Sequence, residues 1–138
     1  MWHGERVFVG ALRNWAEVVL EWNLAADPFC GPHTPGGEKN CLGALTLDGN
    51  TITRNVAYYL IAHAAGFIPP GSWRIESDQD AGIPNAAFLS PREQIVVIAV
   101  NTGDEPCRLS LCESARGSAP SSPEIPAKSL ATCVWTLR

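Results

Sequence analysis

The side chains best placed to do chemistry gather where an apolar run meets a loop. Val18-Val19-Leu20-Glu21-Trp22-Asn23-Leu24-Ala25 carries a tryptophan–asparagine pair near its end, and Asp27-Pro28 then opens a segment broken by prolines and glycines as far as Gly36-Gly37. The apolar, partly β-branched run predicts a buried strand over 17–23. A strand that brings an aromatic ring and an amide to its C-terminal end and opens into a long polar loop is how α/β barrels present a ligand face. The competing reading of Trp22 is a large core residue. Glu21 is the adjacent carboxylate, and strand alternation turns it to the opposite side from Trp22. His33 stands mid-loop, where an imidazole is either solvated or within reach of a ligand.

The thiols offer less. Cys30, Cys41, Cys107, Cys112 and Cys133 are an odd number at irregular spacing, which argues against a disulfide framework. No Cys-x-x-Cys occurs and no His–Cys set has zinc-ligand spacing, so neither a metal nor a cofactor is expected. Cys107 and Cys112 sit at an odd offset and face opposite ways if 107–111 is one strand. Cys30 and Cys41 flank the loop and either bridge it or remain reduced thiols.

These residues need elements to hold them. Positions 8, 11, 12 and 15 share a helical face, so 5–16 is expected to be a helix packing Phe8, Leu12 and Trp15 into the core. The 26–42 loop holds three prolines and three glycines, and a loop that long in a compact domain is usually functional or disordered. Ala44-Leu45-Thr46-Leu47-Asp48 alternates, Asp48-Gly49-Asn50 is a turn, and Thr51-Ile52-Thr53 is extended. Asn55 or Thr53 caps an apolar helix from Val56 to Ala65, ended by Gly66 and barred from continuing by Pro69-Pro70. From Gly71 the pattern becomes short strands at 73–76, 86–89, 94–100, 107–111 and 129–137, the signature of an antiparallel sandwich. Trp73 and Trp135 fall inside apolar strands and are expected in the core. Residues 113–128, with Pro120, Pro123 and Pro126, read as loose.

Composition narrows the function classes. The chain has 138 residues, 46% hydrophobic and 17% charged, with a net charge of −4. That is one domain or part of one, long enough to bury a core. The absence of a basic run excludes nucleic acid as an expected partner. No apolar run reaches the ~18 residues of a membrane span. The first residues show no charged region followed by an apolar one, so no signal peptide is read and a cytoplasmic location follows if Met1 is the true start. One difficulty stands out. A strand buried on both sides needs parallel neighbours, and the first half contains none, so the sequence reads as the last part of something larger.

Three groups of residues carry a resemblance that accounts for this. Leu12-Arg13-Asn14-Trp15-Ala16, Glu21-Trp22-Asn23-Leu24-Ala25, Asp27-Pro28 and Gly31-Pro32-His33-Thr34 form the first. Thr53-Arg54-Asn55-Val56-Ala57-Tyr58-Tyr59 and His63 through Ile75 form the second. Ile95 through Asn101 and Ile125 through Trp135 form the third. In order, they resemble the C-terminal part of glycoside hydrolase family 30, which includes glucosylceramidases, β-1,6-glucanases and xylanases. The resemblance implies a mainly β chain: a C-terminal antiparallel β-sandwich over 71–138, preceded over 1–70 by the end of helix 7, strand 8 and helix 8 of a (β/α)8 barrel. It implies a parent that hydrolyses β-glycosides with retention, using two glutamates about 5–5.5 Å apart. Neither glutamate motif is matched here, so no catalytic residue is assigned and the chain alone is expected to be inactive.

What carries over is a piece of sugar-binding wall. Trp22 matches the aromatic that packs on the sugar beside the cleaved bond, and the apolar face of a pyranose suits an indole. Asn23 and His33 are weaker transfers. The family loop often reads Gly-Gly-Cys-x-x-Cys, but Glu38 replaces the first of those cysteines, and Lys128 replaces a glycine usual in the last turn. The implied partners are a β-linked glycoside held through the parent barrel, and either a second copy of the chain or a complementing barrel fragment. The rival is a non-catalytic carbohydrate-binding or accessory β-sandwich module.

Overall fold

The computed structural model describes residues 2–78, 82–112 and 121–137. Helix α1 is wound as a π-helix over His3–Val9 and as an α-helix over Gly10–Arg13. Then come β1 (Ala25–Ala26), β2 (Leu45–Asp48), β3 (Thr51–Arg54) and α2 (Val56–Ala65). The second half supplies β4 (Trp73–Ile75), β5 (Asn85–Leu89), β6 (Gln94–Asn101), β7 (Cys107–Arg108), β8 (Glu124–Ile125) and β9 (Ser129–Thr136). Among the described residues the strands form three sheets: β1-β2-β3, the four-stranded β4-β5-β6-β9, and the pair β7-β8. All pairings are antiparallel except β1 with β2.

The four-stranded sheet is covered on both faces, and this is why β6 reads as an unbroken apolar run rather than an alternating one. Seven successive residues of β6, Ile95 to Asn101, are buried. Its even-numbered side chains Val96, Ile98 and Val100 join Ala86 and Phe88 of β5 and Phe8 and Val9 of α1 in one core. Val19, Ile61 and Ala64 pack on the edge of that core. The odd-numbered Ile95, Val97 and Ala99 join Ala87, Leu109 and Ile125 in a second core beneath β7 and β8. The chain is mainly β, and its second half is the expected antiparallel sandwich.

Local signals predict several elements well. The hairpin β2–β3 turns at Gly49-Asn50, and Gly49 takes a positive φ of 56°, as a tight hairpin requires. Helix α2 runs over the expected residues. Lys128 adopts φ 49°, which explains why glycine suits that turn. Its side chain compensates by donating to the Thr102 carbonyl at 2.7 Å and pairing with Asp104 at 3.0 Å.

Other expectations are corrected. Helix α1 ends at Arg13, so the helical periodicity does not extend to Trp15. That residue takes φ 67° and is 73% exposed, its ring lying 3.7 Å beneath the Arg74 guanidinium. Trp73 is 75% exposed because β4 is the edge of its sheet. Trp135 is half-buried against the second core. The expected loose segment contains β8, a two-residue strand too short for a periodic signal, and its residues 113–120 lie outside those described. Asn55 occupies the N-cap position of α2 but makes no side-chain capping bond. Its amide turns back to the hairpin instead.

Two seams fasten the first half to the sandwich. The Arg13 guanidinium donates to Ser77 Oγ, to the Ser77 carbonyl and to the Asn85 carbonyl at 2.9–3.1 Å. His63 on α2 shares a 2.7 Å hydrogen bond between Nδ1 and Thr132 Oγ1 on β9. Burial holds the His63 imidazole below its ordinary value of 6.5. The fold therefore favours the neutral ring, and the unfolded chain binds the proton more readily. Above the ordinary value there is no penalty. As pH falls through it toward the lower folded value, stability is lost. His63→Gln should therefore lose less thermal stability than the parent chain when melts at pH 7.5 and pH 5.5 are compared.

Candidate functional site

The expected strand over 17–23 does not form: residues 18–24 carry no ladder and bend at Trp22 and Leu24, because parallel strands require neighbours to accept their hydrogen bonds. Pairing begins only at Ala25, opposite Leu45. The period-two alternation is nevertheless intact. Val18, Leu20, Trp22 and Leu24 are exposed, Leu20 at 87% and Trp22 at 83%. Val19, Glu21, Asn23 and Ala25 are turned inward and are half-buried. The run is thus not buried on both sides. One side rests on the protein, and the other presents a column of four apolar side chains to solvent.

Glu21 behaves as alternation requires. It lies on the inward side, its side chain 14% exposed, with Oε1 2.7 Å from Nε2 of His3 on α1. It is therefore committed to the helix layer and directed away from the Trp22 face. Asn23 also points inward. Its Oδ1 is buried without a hydrogen-bond partner among the described residues. It sits so close to Gly43 that a Cβ there would lie 2.7 Å away. The Trp22–Asn23 peptide bond is cis. Trp22 and Asn23 are neighbours in sequence but face opposite ways, so the structure does not bring these two side chains to one surface. His33 is exposed on the loop.

The loop is ordered by carboxylates. Asp27 Oδ1 accepts the N–H groups of Phe29 and Gly31, each at 2.8 Å, and the Asp27 N–H donates to the Gly31 carbonyl. This is the side-chain mimic of a backbone turn. Glu38 Oε1 accepts the N–H groups of Lys39 and Asn40, both at 2.9 Å. Glu38, which displaces a family cysteine, thus closes locally the stretch that a disulfide would staple. Cys30 and Cys41 are free thiols.

The remaining chemistry-bearing groups lie apart from this loop. Burial raises the Cys133 thiol above its usual range on β9. A notch of about 370 Å³ lies between Arg6 and Arg13 of α1 and the Gly82–Pro84 turn, and is not lined by Trp22, Asn23 or His33. Among the described residues no group of three or more His, Cys, Asp or Glu is placed to hold a metal ion. No helix among them is long and apolar enough to cross a membrane. Sequence reasoning missed Asn55 and Gly43 as supports of the Trp22 segment. An asparagine ahead of an apolar helix signals a cap, and nothing local reveals a tether to a distant peptide.

Residues 71–133 match the glycosyl hydrolase family 30 beta sandwich domain. An endo-1,6-β-D-glucanase of Aspergillus fumigatus is 34% identical over 109 residues, covering 73% of this chain and 22% of the relative. A second, from Trichoderma harzianum, is 31% identical over 101 residues, covering 68% and 21%. The solved structure of an endo-β1,6-glucanase superposes with a TM-score of 0.85 at 29% identity, over 98% of this chain and 30% of that one. The SrfJ protein of Salmonella typhimurium, at 20% identity and a TM-score of 0.86, shares the fold over 99% of this chain and 31% of its own. Over residues 71–133 the chain carries the C-terminal β-sandwich domain of glycoside hydrolase family 30. It spans about a fifth of the length of the curated relatives it matches.

If Glu38 closes the loop, Glu38→Ala should speed amide exchange at Lys39 and Asn40 about fivefold, the loss of roughly one net hydrogen bond. Exchange in β6 should be unchanged.

Proposed function

We propose that these residues form the closing part of a retaining β-glycosidase. On this reading, residues 1–70 complete a (β/α)8 barrel and residues 71–138 pack against it as the sandwich. The observation that carries the reading is the column of Val18, Leu20, Trp22 and Leu24, exposed at every second residue on a segment held from its other side. A barrel strand has just this pattern, with one set of side chains facing the interior and the other facing the helix layer. The solved glucanase supports it, since the superposition takes in 98% of the chain and therefore the first half as well as the sandwich.

Retaining hydrolysis needs an acid/base carboxylate and a nucleophilic carboxylate facing each other across the glycosidic bond. Glu21 is paired with His3 on the inward side, and by the resemblance no carboxylate of this chain, Glu21 included, matches either catalytic motif of the family. The chain therefore contributes the wall and not the catalytic pair, and it is inactive by itself. Trp22 is the platform for the sugar beside the cleaved bond. His33 supplies a polar contact from the loop, and Asn23 orients the loop. The substrate class favoured is a β-1,6-linked glucan, because the relatives bearing that activity are 34% and 31% identical, against 24% for a mouse lysosomal acid glucosylceramidase. Without the rest of a barrel, the apolar column drives association with a complementing barrel fragment or with a second copy.

A second reading, a free-standing carbohydrate-binding module, is favoured by one feature. Trp73 lies in a direct cross-strand line with Leu89, Ile95 and Trp135, and its indole is exposed. Binding of an oligosaccharide that Trp73→Ala abolishes while the fold survives would establish this reading over the first.

The test of the main reading is complementation. The chain is co-expressed with the part of the A. fumigatus glucanase that precedes the matched segment. The pure chain should release no sugar from β-1,6-glucan, whereas the pair should. Trp22→Ala in the pair should lower kcat/KM about 30-fold, the worth of a buried aromatic contact. Hydrolysis by the pure chain that a substitution within it abolishes would overturn the reading. So would a pair in which Trp22→Ala has no effect.

A further inference from the structure

We infer that Asn55 is the positioning residue of the Trp22 segment, acting through the two peptide units that follow Gly43. The inference rests on the reading of Trp22 as the sugar wall. Its physical content is a pair of backbone units, each pinned at both ends. The Gly43–Ala44 peptide accepts at its carbonyl from Asn55 Nδ2 at 2.8 Å, and its N–H donates to the Asn23 carbonyl at 2.9 Å. The next unit, Ala44–Leu45, accepts at its carbonyl from the Asn55 backbone N–H at 2.9 Å, and its N–H donates to the Leu24 carbonyl at 2.9 Å. One residue thus holds two successive peptides, and those peptides hold the two carbonyls that follow Trp22. The second hydrogen of Asn55 Nδ2 goes to Thr46 Oγ1 at 2.9 Å, which fixes the rotation of the amide.

Three further facts make this arrangement directional. A peptide whose carbonyl is already hydrogen-bonded is a better donor through its N–H, so each pinned unit strengthens its grip on the Trp22 segment. Gly43 is buried, and a Cβ there would meet Asn23 Oδ1, the Ala25 carbonyl carbon and the Ala26 nitrogen at 2.7 Å each, so the two segments approach as closely as backbone allows. The Asn55 side chain also gives up capping the α2 N-terminus, the ordinary use of an asparagine at that position. The Trp22 indole is itself exposed, so the backbone fixes the direction of its Cα–Cβ bond while the ring turns among its rotamers.

Asn55→Asp separates the two roles. Aspartate is as good a helix cap as asparagine, but it cannot donate to the Gly43 carbonyl and would repel it. The experiment uses the full chain with 15N-labelled tryptophan and amides, the Trp22 indole signal being identified by Trp22→Phe. In Asn55→Asp, exchange at the Ala44 and Leu45 amides should rise about fivefold, and the Trp22 indole signal should move, while α2 amides remain as protected as before. Unchanged Ala44 and Leu45 exchange with an unmoved indole would overturn the inference, as would a uniform loss of protection along α2. If Asn55→Asp does not fold, Thr46→Val decides: it frees the amide rotor only, and it should shift the same three signals in the same direction and by less, no shift being the contrary result. Gentiobiose is titrated into each protein. A Trp22 signal that the disaccharide leaves unmoved in the parent chain counts against the sugar-wall reading alone, and the exchange data still judge the tether.

Discussion

The structure depends on one sheet being covered on both faces. Strand β6 contributes Val96, Ile98 and Val100 to a core closed by Phe8 and Val9 of α1, and Ile95, Val97 and Ala99 to a core closed by Leu109 and Ile125. Each of these side chains except Ala99 is worth about 1.5–3 kcal/mol once removed from water. The first core is shared between the two halves of the chain, which explains how the helices and the run at 18–25 are held at all. Arg13 and His63 add polar fastenings at the margins. The run is consequently gripped from one side, through Val19, the Glu21–His3 pair and the Asn23 and Leu24 carbonyls, and the side chains it presents on the other side are left to solvent.

That asymmetry links the packing to function. The inward side chains lie against the protein: Val19 packs on the core, Glu21 pairs with His3, and Asn23 is buried beside Gly43 with its Oδ1 unpartnered among the described residues. The outward ones are apolar and include an indole. A surface of this kind is costly to expose, and a chain has reason to keep it only where something else covers it. A barrel interior and a sugar together do so on the proposed reading. The loop beyond Asp27 adds the polar rim, ordered by backbone N–H groups converging on Asp27 and Glu38.

What could be read from the sequence was what local chemistry determines. The β2–β3 hairpin follows from Gly49 and Asn50, α2 from its apolar run and Gly66, β6 and β9 from β-branched residues between turns, and β5 from a short apolar run between turns. The alternation that separates Glu21 from Trp22 was legible for the same reason. The pairing of 17–23 was not, since it depends on neighbours the run cannot specify. Trp15 and Trp73 misled because an apolar residue in an apolar stretch looks like core, whereas a helix that stops at Arg13 and a strand at a sheet edge leave both indoles outside. Asn55 was read as a cap because the residue type is the same for a cap and a tether. Only the fold shows which acceptors lie within 3 Å of its amide.

The most direct test of the account is amide exchange at Val18 to Leu24, measured on the chain alone and again with the complementing barrel portion bound. The account predicts fast exchange in the isolated chain, where these N–H groups have no ladder, and strong protection in the complex, with β6 protected in both. Protection of 18–24 in an isolated monomer, or fast exchange persisting in a complex that hydrolyses glucan, would contradict it.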